Sequence, residues 1–334
     1  MAVGAGSGAP PSGYPWSPVM AKLPPPQSAT VQAIMAAYEA DAEDGFRAHL
    51  GASLIGKECE RALWLDFHWT TRSAFSGRML RLFETGQREE ERLVANLRRI
   101  GVTVLDVNPD SGRQWRVEAH GGHFGGSLDG VALGVPEAPK TWHVCEFKTH
   151  NAKSFNELKA KGVRLAKPQH FAQMQIYMAL TGMTRALYLA VCKDTDELHA
   201  ERIRAEPAEA ERLLAKARRI IEAAHPPARI SEDASWYQCR FCAHHGLCHE
   251  GEMPEINCRT CLHVTPVADG TWHCARWDQV VAIADQRQGC GHHLFIPDLV
   301  AGEQIDADAS QEWVLYRFPD GNLWRNGPPC PAQA

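Results

Sequence analysis

A chain of 334 residues is long enough for one large domain with a small companion, or for two domains. Apolar residues make up 44% and charged residues 22%, the balance of a soluble globular protein. No run of about 18 apolar residues exists to span a membrane, and the start lacks a charged stretch followed by an apolar one, so neither a membrane segment nor a signal peptide is expected.

Residues 1–29 are rich in Gly, Pro, Ala and Ser and end in Pro24-Pro25-Pro26. They cannot bury much apolar surface and read as a disordered tail, in which Tyr14 and Trp16 could dock at a place that the sequence does not specify. Val31, Ile34, Met35 and Tyr38 have helical spacing, which predicts a short helix near 30–43. Ser53 is a candidate cap for a helix carrying Cys59, Leu63 and Trp64. By itself, Cys59 would be a buried structural thiol. A long helix is predicted over 76–100, with Leu82, Phe83, Leu93, Val94 and Leu97 spaced for one face and Gly101 as its stop. Its middle carries Glu89, Glu90 and Glu91, by default a solvated acidic face.

Residues 102–107, 115–118, 124–133, 142–149 and 186–193 have strand character, with Pro136 to Pro139 marking a turn. Pro168 is placed to start a helix and Gly182 to end it. Gln173 and Tyr177, four apart, share one face of it, with His170 nearly aligned. Residues 206–224 form an amphipathic helix that ends at Pro226-Pro227. Near the end, Trp313 to Phe318 reads as a strand.

The net charge of −5 does not advertise a nucleic-acid binder, but the charge is uneven. Lys148, Lys153, Lys159, Lys161, Arg164 and Lys167 face a single acid, Glu157, between Phe147 and His170. A solvated loop would look the same. Beside a carboxylate site, such a strip suits a phosphate backbone.

Carboxylates are indeed adjacent. Asp129 closes a glycine-rich apolar run, and Glu146 and Lys148, two apart in the next strand, point to the same side. Two carboxylates from neighbouring strands with an ammonium beside them can hold a hard divalent cation, Mg²⁺ or Mn²⁺, whose water can attack a phosphodiester. Lys148 would hold or deprotonate that water, or offset charge on the phosphate. Either fragment alone would be a turn or a solvated strand face; the ordered set followed by the Gln/Tyr helix carries the meaning.

Eleven cysteines in a chain without an export signal argue for metal ligation over disulfides. Cys239, Cys242 and Cys248 give three soft ligands in need of a fourth, suited to zinc or an iron–sulfur cluster. Cys258, Cys261, Cys274 and Cys290, with Gly270 in the intervening turn, look like a small zinc ribbon in which His263, His273, His292 or His293 could replace one thiol; free thiols are the plain alternative. So short a segment would draw folding energy from its metal. Cys145 and Cys192 sit inside strands as core residues, and Cys330 lies in a polar tail without an assignment.

Asp129, Glu146-Phe147-Lys148 and Gln173-x-x-x-Tyr177 together resemble the PD-(D/E)XK nuclease superfamily in its RecB-type and phage-exonuclease branch. Leu128 stands where that family usually has Pro. The resemblance implies an α/β restriction-endonuclease-like core with a mixed central sheet flanked by helices. It implies metal binding by Asp129, Glu146 and the Phe147 carbonyl, a catalytic Lys148, and Gln173 and Tyr177 on the substrate side. In that branch a Gly followed four residues later by His or Glu adds a group near the metal. From Gly86 that offset falls on Glu90, with Glu89 next to it.

The order Cys59, catalytic core, then Cys239, Cys242 and Cys248 is similar to RecB-type nucleases with an iron–sulfur staple, found among CRISPR-associated adaptation nucleases and AddB-type helicase–nucleases. That likeness spans about residues 50–250 and implies a [4Fe–4S] cluster; zinc bound by the triplet with His244, His245 or His249 is the alternative. The expected organisation is a tail over 1–29, a nuclease domain over 30–252, and a small Cys-rich module with its tail over 253–334. The Pro168-x-His170 and Gln173-x-x-x-Tyr177 pattern resembles phage recombination exonucleases. A cytoplasmic exonuclease of a bacterial or phage-infected cell, acting on DNA ends with a single-strand annealing or recombination protein as a candidate partner, is therefore expected, with oligomers allowed. A defence or CRISPR-adaptation nuclease is the nearest alternative, and a non-cleaving nucleic-acid scaffold the non-enzymatic one. A redox role would need a flavin or nicotinamide site, which nothing in the sequence suggests.

Overall fold

The structure, a computed structural model, describes residues 28–42, 46–72 and 74–328. Most of the expected N-terminal tail, with Tyr14 and Trp16, and Cys330 lie outside them. No helix among the described residues is long and apolar enough to cross a membrane.

The chain begins with α1 (Ala29–Ala40), the two-residue strand β1 (Leu50–Gly51), α2 (Glu60–Phe67) and the long α3 (Gly77–Arg99). The short strands β2 (Thr103–Leu105), β3 (Val107–Asn108), β4 (Arg113–Gln114), β5 (Arg116–Ala119) and β6 (Phe124–Ser127) follow. Then come β7 (Gly130–Leu133), β8 (His143–His150), α4 (Ala152–Ala166), α5 (Pro168–Thr181), β9 (Arg185–Cys192), β10 (Leu198–Arg204) and α6 (Pro207–Glu222). The C-terminal part has the one-turn α7 (Tyr237–Arg240), β11 (Val264–Pro266), β12 (Trp272–Cys274), β13 (Gln279–Val281) and α8 (Ile283–Gln288). The meander β14 (Glu303–Asp308), β15 (Trp313–Arg317) and β16 (Leu323–Asn326) ends it.

The central sheet has the order β10-β9-β8-β7-β2. Only β8 and β9 run parallel; the other pairs are antiparallel. A parallel pair needs a long crossover, and α4 with α5 supplies it. Side-chain alternation along β8 divides the core. Cys145 and Phe147 join Leu93, Val94 and Leu97 of α3 on one face, while Val144 joins Phe155, Leu158, Phe171 and Met174 of α4 and α5 on the other. The result is the mixed α/β sheet flanked by helices that the resemblance implied.

Several expectations shift. The stretch 124–133 is two strands, because the chain leaves the β1-β6-β5 sheet at Leu128-Asp129 and enters the central sheet. Ser53 caps no helix. Residues 51–57 form consecutive turns held by amides of Leu54, Ile55 and Lys57, with Ile55 fully buried, and Cys59 is the cap of α2, its Sγ accepting from the Ala62 amide at 3.4 Å. The basic strip is largely helical, not a loop. Asn151 caps α4 by accepting from the Ser154 amide at 2.9 Å, and a left-handed break at Gly162 (φ 71°) disguises the helical period in the sequence. Strand β10 was not anticipated: at the sheet edge only Ile203 of it is buried, so its polar residues hide the alternation.

The strands β11-β12-β13 form an antiparallel sheet whose inner residues Val264, Trp272, Cys274 and Val281, with Cys261 just ahead of β11, belong to the same buried cluster as α2 and α5. Gly270 lies between β11 and β12 at φ 66°, as a tight turn requires. The β14-β15-β16 meander has a small cluster of its own around Phe295, Val314 and Tyr316.

Candidate active site

Asp129 stands at the bend where the chain changes sheets, and Glu146 and Lys148 lie on the neighbouring β8. The Phe147 amide donates to Asp129 Oδ2 at 2.7 Å. Lys148 Nζ lies 2.6 Å from Glu146 Oε1 and 3.7 Å from Asp129 Oδ2, and donates to the Phe147 carbonyl at 2.8 Å. Glu146 is wholly buried, yet neither of its oxygens accepts a well-formed hydrogen bond; the close approach of Lys148 is an ion pair. Burial pushes the Glu146 carboxyl up to about 7; Lys148 opposes the rise, and Asp129 and Glu90 add to it. For Lys148 burial works against the charge, but Glu146 and Asp129 outweigh it and hold the amine above its ordinary value.

Glu90 belongs to this group and Glu89 does not. Burial, then the charge of Asp129, lifts the Glu90 carboxyl to about 7, with Lys148 pulling the other way. Glu89 turns to Arg92 at 3.3 Å, and Arg92 forks onto Asp196 at 2.7 and 2.6 Å, an exposed surface network.

Gln173 and Tyr177 are together as their spacing implied, and both are buried. Gln173 Nε2 donates to Tyr177 Oη at 3.1 Å, and Tyr177 Oη donates to the Ser127 carbonyl at 2.8 Å, two residues before Asp129. Gly126 leaves room for the ring: a Cβ there would lie 2.6 Å from Tyr177 Oη. Gln173 and Tyr177 floor a polar cavity of about 510 Å³ rimmed by Arg47, His49, Ser53 and Arg116. Burial, followed by Arg116, Arg47 and Arg259, lowers the His49 imidazole to about 4, so it stays neutral in a positive surround. The sequence reading missed this rim, because its residues come from separate short segments and none falls in a motif. His170 instead joins a second polar group, with His170 Nδ1 and His150 Nε2 each 2.9 Å from Tyr188 Oη. A larger cavity of about 930 Å³ between α5 and α6 contains none of the catalytic candidates.

The profile of the PD-(D/E)XK nuclease superfamily matches residues 25–249, well over half of the chain. The chain belongs to the PD-(D/E)XK nuclease superfamily. No curated protein matches it. Among solved structures it is similar to an alkaline exonuclease (LHK-Exo) from Laribacter hongkongensis, at TM-score 0.38 and 17% identity over 57% of this chain and 90% of that one. The same exonuclease in complex with dAMP gives TM-score 0.38 and 16% identity at the same coverage. SSO0001 gives TM-score 0.39 and 14% identity over 66% of this chain and 97% of that one.

PD-(D/E)XK nucleases generally use Mg²⁺ or Mn²⁺. Among the described residues no three Asp, Glu, His or Cys side chains converge closely enough to hold an ion as they stand. The donor chemistry nevertheless fits a hard cation: a buried carboxylate whose oxygens accept no hydrogen bond beyond the Lys148 ion pair, a second carboxylate tied by only one of its oxygens, and Glu90 with its raised affinity for protons. An ammonium already stands between the two acids, where positive charge is needed.

The ten described cysteines are all unpaired. Cys59, Cys239, Cys242 and Cys248, distant in sequence, line one hollow. Of the histidines that could substitute there, His244 is engaged by Thr71 and Asp66 at 3.0 Å each, and His245 by the Cys239 carbonyl and Glu250. Cys258, Cys261, Cys274 and Cys290 line a second cavity of about 280 Å³. There His263 Nε2 and His292 Nδ1 are buried without partners, whereas His293 meets Thr260 at 3.1 Å and His273 meets Asp278 at 3.3 Å. Cys145 and Cys192 are core residues.

Proposed function

We propose that this protein is a divalent-metal-dependent deoxyribonuclease that processes DNA ends, an exonuclease serving recombination, replication or repair. The observation that carries the proposal is the wholly buried Glu146 with both oxygens free of hydrogen bonds, apposed to Asp129 and Lys148. A carboxylate buried at the centre of a sheet and answered only by one ion pair costs the fold stability, and a scaffold has no need of it. Asp129, Glu146, the Phe147 carbonyl and Glu90 would hold Mg²⁺ or Mn²⁺. A bound ion of this kind supplies a Lewis acid and a water of lowered pKa. Lys148, an ammonium, would orient the attacking water by donating to it or would offset charge on the scissile phosphate. Gln173 and Tyr177 fix the backbone ahead of Asp129, and the Arg47/Arg116 rim receives a backbone phosphate. The Pro168-x-His170 and Gln173-x-x-x-Tyr177 pattern supports action at ends.

The gathering of Cys59, Cys239, Cys242 and Cys248 around one hollow, with His244 and His245 engaged elsewhere, supports a four-thiolate [4Fe–4S] staple. The second set suits zinc, with His263 or His292 available. Metal analysis and the visible spectrum of anaerobically purified protein, repeated with Cys239→Ser and Cys274→Ser, separate the two assignments.

The functional test is digestion of 5′- and 3′-labelled linear DNA, duplex and single-stranded, against closed circles. Mg²⁺-dependent loss of linear DNA by the wild type, absent with EDTA and with Glu146→Ala, is expected. Cutting of circles would replace the exonuclease by an endonuclease. DNA binding without cutting under any metal would overturn the catalytic reading.

A further inference from the structure

Arg259 lies inside the Cys258-Arg-Thr-Cys261 knuckle, is 0% exposed, and has no carboxylate partner among the described residues. A buried guanidinium persists only if its donors are satisfied. Here Nε donates to Gln286 Oε1 at 2.9 Å, one Nη to the Phe67 carbonyl at 3.1 Å and the other to the Ala48 carbonyl at 3.0 Å. The cation sits 3.6 Å from the centre of the Trp69 ring and 4.7 Å from that of Trp272.

Two of these contacts converge on one loop. Trp69 Nε1 donates to the Arg47 carbonyl at 2.8 Å, so the successive carbonyls of Arg47 and Ala48 are gripped by the stacked pair Trp69 and Arg259. Beyond them the Leu50 amide is held by the His123 carbonyl at 2.8 Å, and His123 in turn meets the Val267 carbonyl at 2.6 Å. The backbone of this loop is thus clamped from behind by the C-terminal module. Its front carries Arg47, which donates to Ser53 Oγ at 3.2 Å, and His49, 3.3 Å from Arg116. These are the rim residues of the cavity floored by Gln173 and Tyr177.

We infer that the C-terminal cysteine module is a positioning element for the substrate pocket, with Arg259 as the residue that transmits it: by holding Ala48 and Trp69 it fixes Arg47 for a DNA phosphate. The inference rests on the proposed nuclease function. Arg259 touches none of Asp129, Glu146 or Lys148, so it governs substrate affinity and not the chemical step.

The test is a double-mutant cycle on DNA cleavage. Lysine has a point charge on a flexible stem and cannot reach three acceptors in one plane. Arg259→Lys should raise KM about 10-fold and leave kcat within about 2-fold, the signature of lost ground-state binding. Arg47→Ala should raise KM similarly, and adding Arg259→Lys to it should raise KM no further. Additive effects, or a fall in kcat at constant KM, would overturn the inference. Should Arg259→Lys fail to fold, Trp69→Phe carries the test, since it leaves a smaller aromatic face for Arg259 and removes the indole N–H that holds the Arg47 carbonyl; an unchanged KM there overturns the inference as well. Fluorescence anisotropy with labelled DNA in EDTA reads the same coupling without cleavage. A wild type that binds but does not cut therefore refutes the nuclease while leaving the clamp to stand or fall on its own.

Discussion

The Phe147 amide donates to Asp129 Oδ2 at 2.7 Å, which pins a carboxylate on a chain bend to the strand that carries Glu146 and Lys148. The bond fixes the separation of the two acids without using a side chain, and leaves Asp129 Oδ1 free. Asp129→Asn can keep the tie through its amide oxygen while losing the charge. Cleavage by that variant should fall at least about 100-fold, with DNA affinity in EDTA unchanged or tighter, since a negative charge facing the phosphates is gone. Wild-type cleavage by Asp129→Asn would remove Asp129 from the catalytic set.

On the proposed function, Lys148 serves the chemistry and the fold together. It is the counter-charge nearest to a buried Glu146, and removing one partner of such a pair leaves the other uncompensated. Lys148→Met should abolish cleavage and destabilise the metal-free protein by about 2 kcal/mol at pH 8. At pH 5 Glu146 is protonated and needs no partner, so the loss should shrink. Thermal denaturation at the two pH values in EDTA checks this; equal losses at both would mean that Lys148 acts through packing alone.

Tyr177 joins helix α5 to the strand before Asp129 through one hydroxyl. Tyr177→Phe removes the bonds to Ser127 and Gln173 and leaves a buried carbonyl without its donor, a loss of about 1–2 kcal/mol. Cleavage should drop about 10-fold as the Asp129 segment loosens, with DNA binding little changed. Gly126→Ala should be more severe, because the new methyl occupies the space of the Tyr177 hydroxyl. A Tyr177→Phe enzyme with full activity would reduce this pair to core packing.

The central sheet and the meeting of Asp129, Glu146 and Lys148 were legible in the sequence because each rests on a local pattern: Glu146 and Lys148 share a face by the period of a strand, and Gln173 and Tyr177 by the turn of a helix. What escaped depends on distant segments. The rim residue Arg47 matters only because β1 pairs with β6 and brings it beside Gly125 and Gly126, a contact that no spacing announces. Nothing in the sequence singles out Arg259 between its two cysteines, because its partners Ala48 and Phe67 lie about two hundred residues away. Strand β10 and helix α4 were hidden for a different reason: an edge strand and a lysine-rich helix broken at Gly162 dilute the periodicity that would reveal them.

Burial and like charge lift both Glu146 and Glu90 to about 7, and this makes a joint prediction for rate and stability. Their folded values exceed the ordinary 4.5 of a glutamate, so the folded metal-free protein holds these protons more tightly than the unfolded chain. The stability they contribute is complete below about 4.5 and is lost as pH rises towards 7. In EDTA the melting temperature should therefore fall across that interval, and Glu146→Gln, which cannot ionise, should flatten the fall. Cleavage should move oppositely, rising through pH 7 as the carboxylates become available to a cation. Mg²⁺ should then raise the melting temperature more at pH 8 than at pH 5.5, and scarcely at all for Glu146→Gln. A wild-type melting temperature that ignores both pH and Mg²⁺ would show that these carboxylates are compensated within the protein and that the cation binds elsewhere.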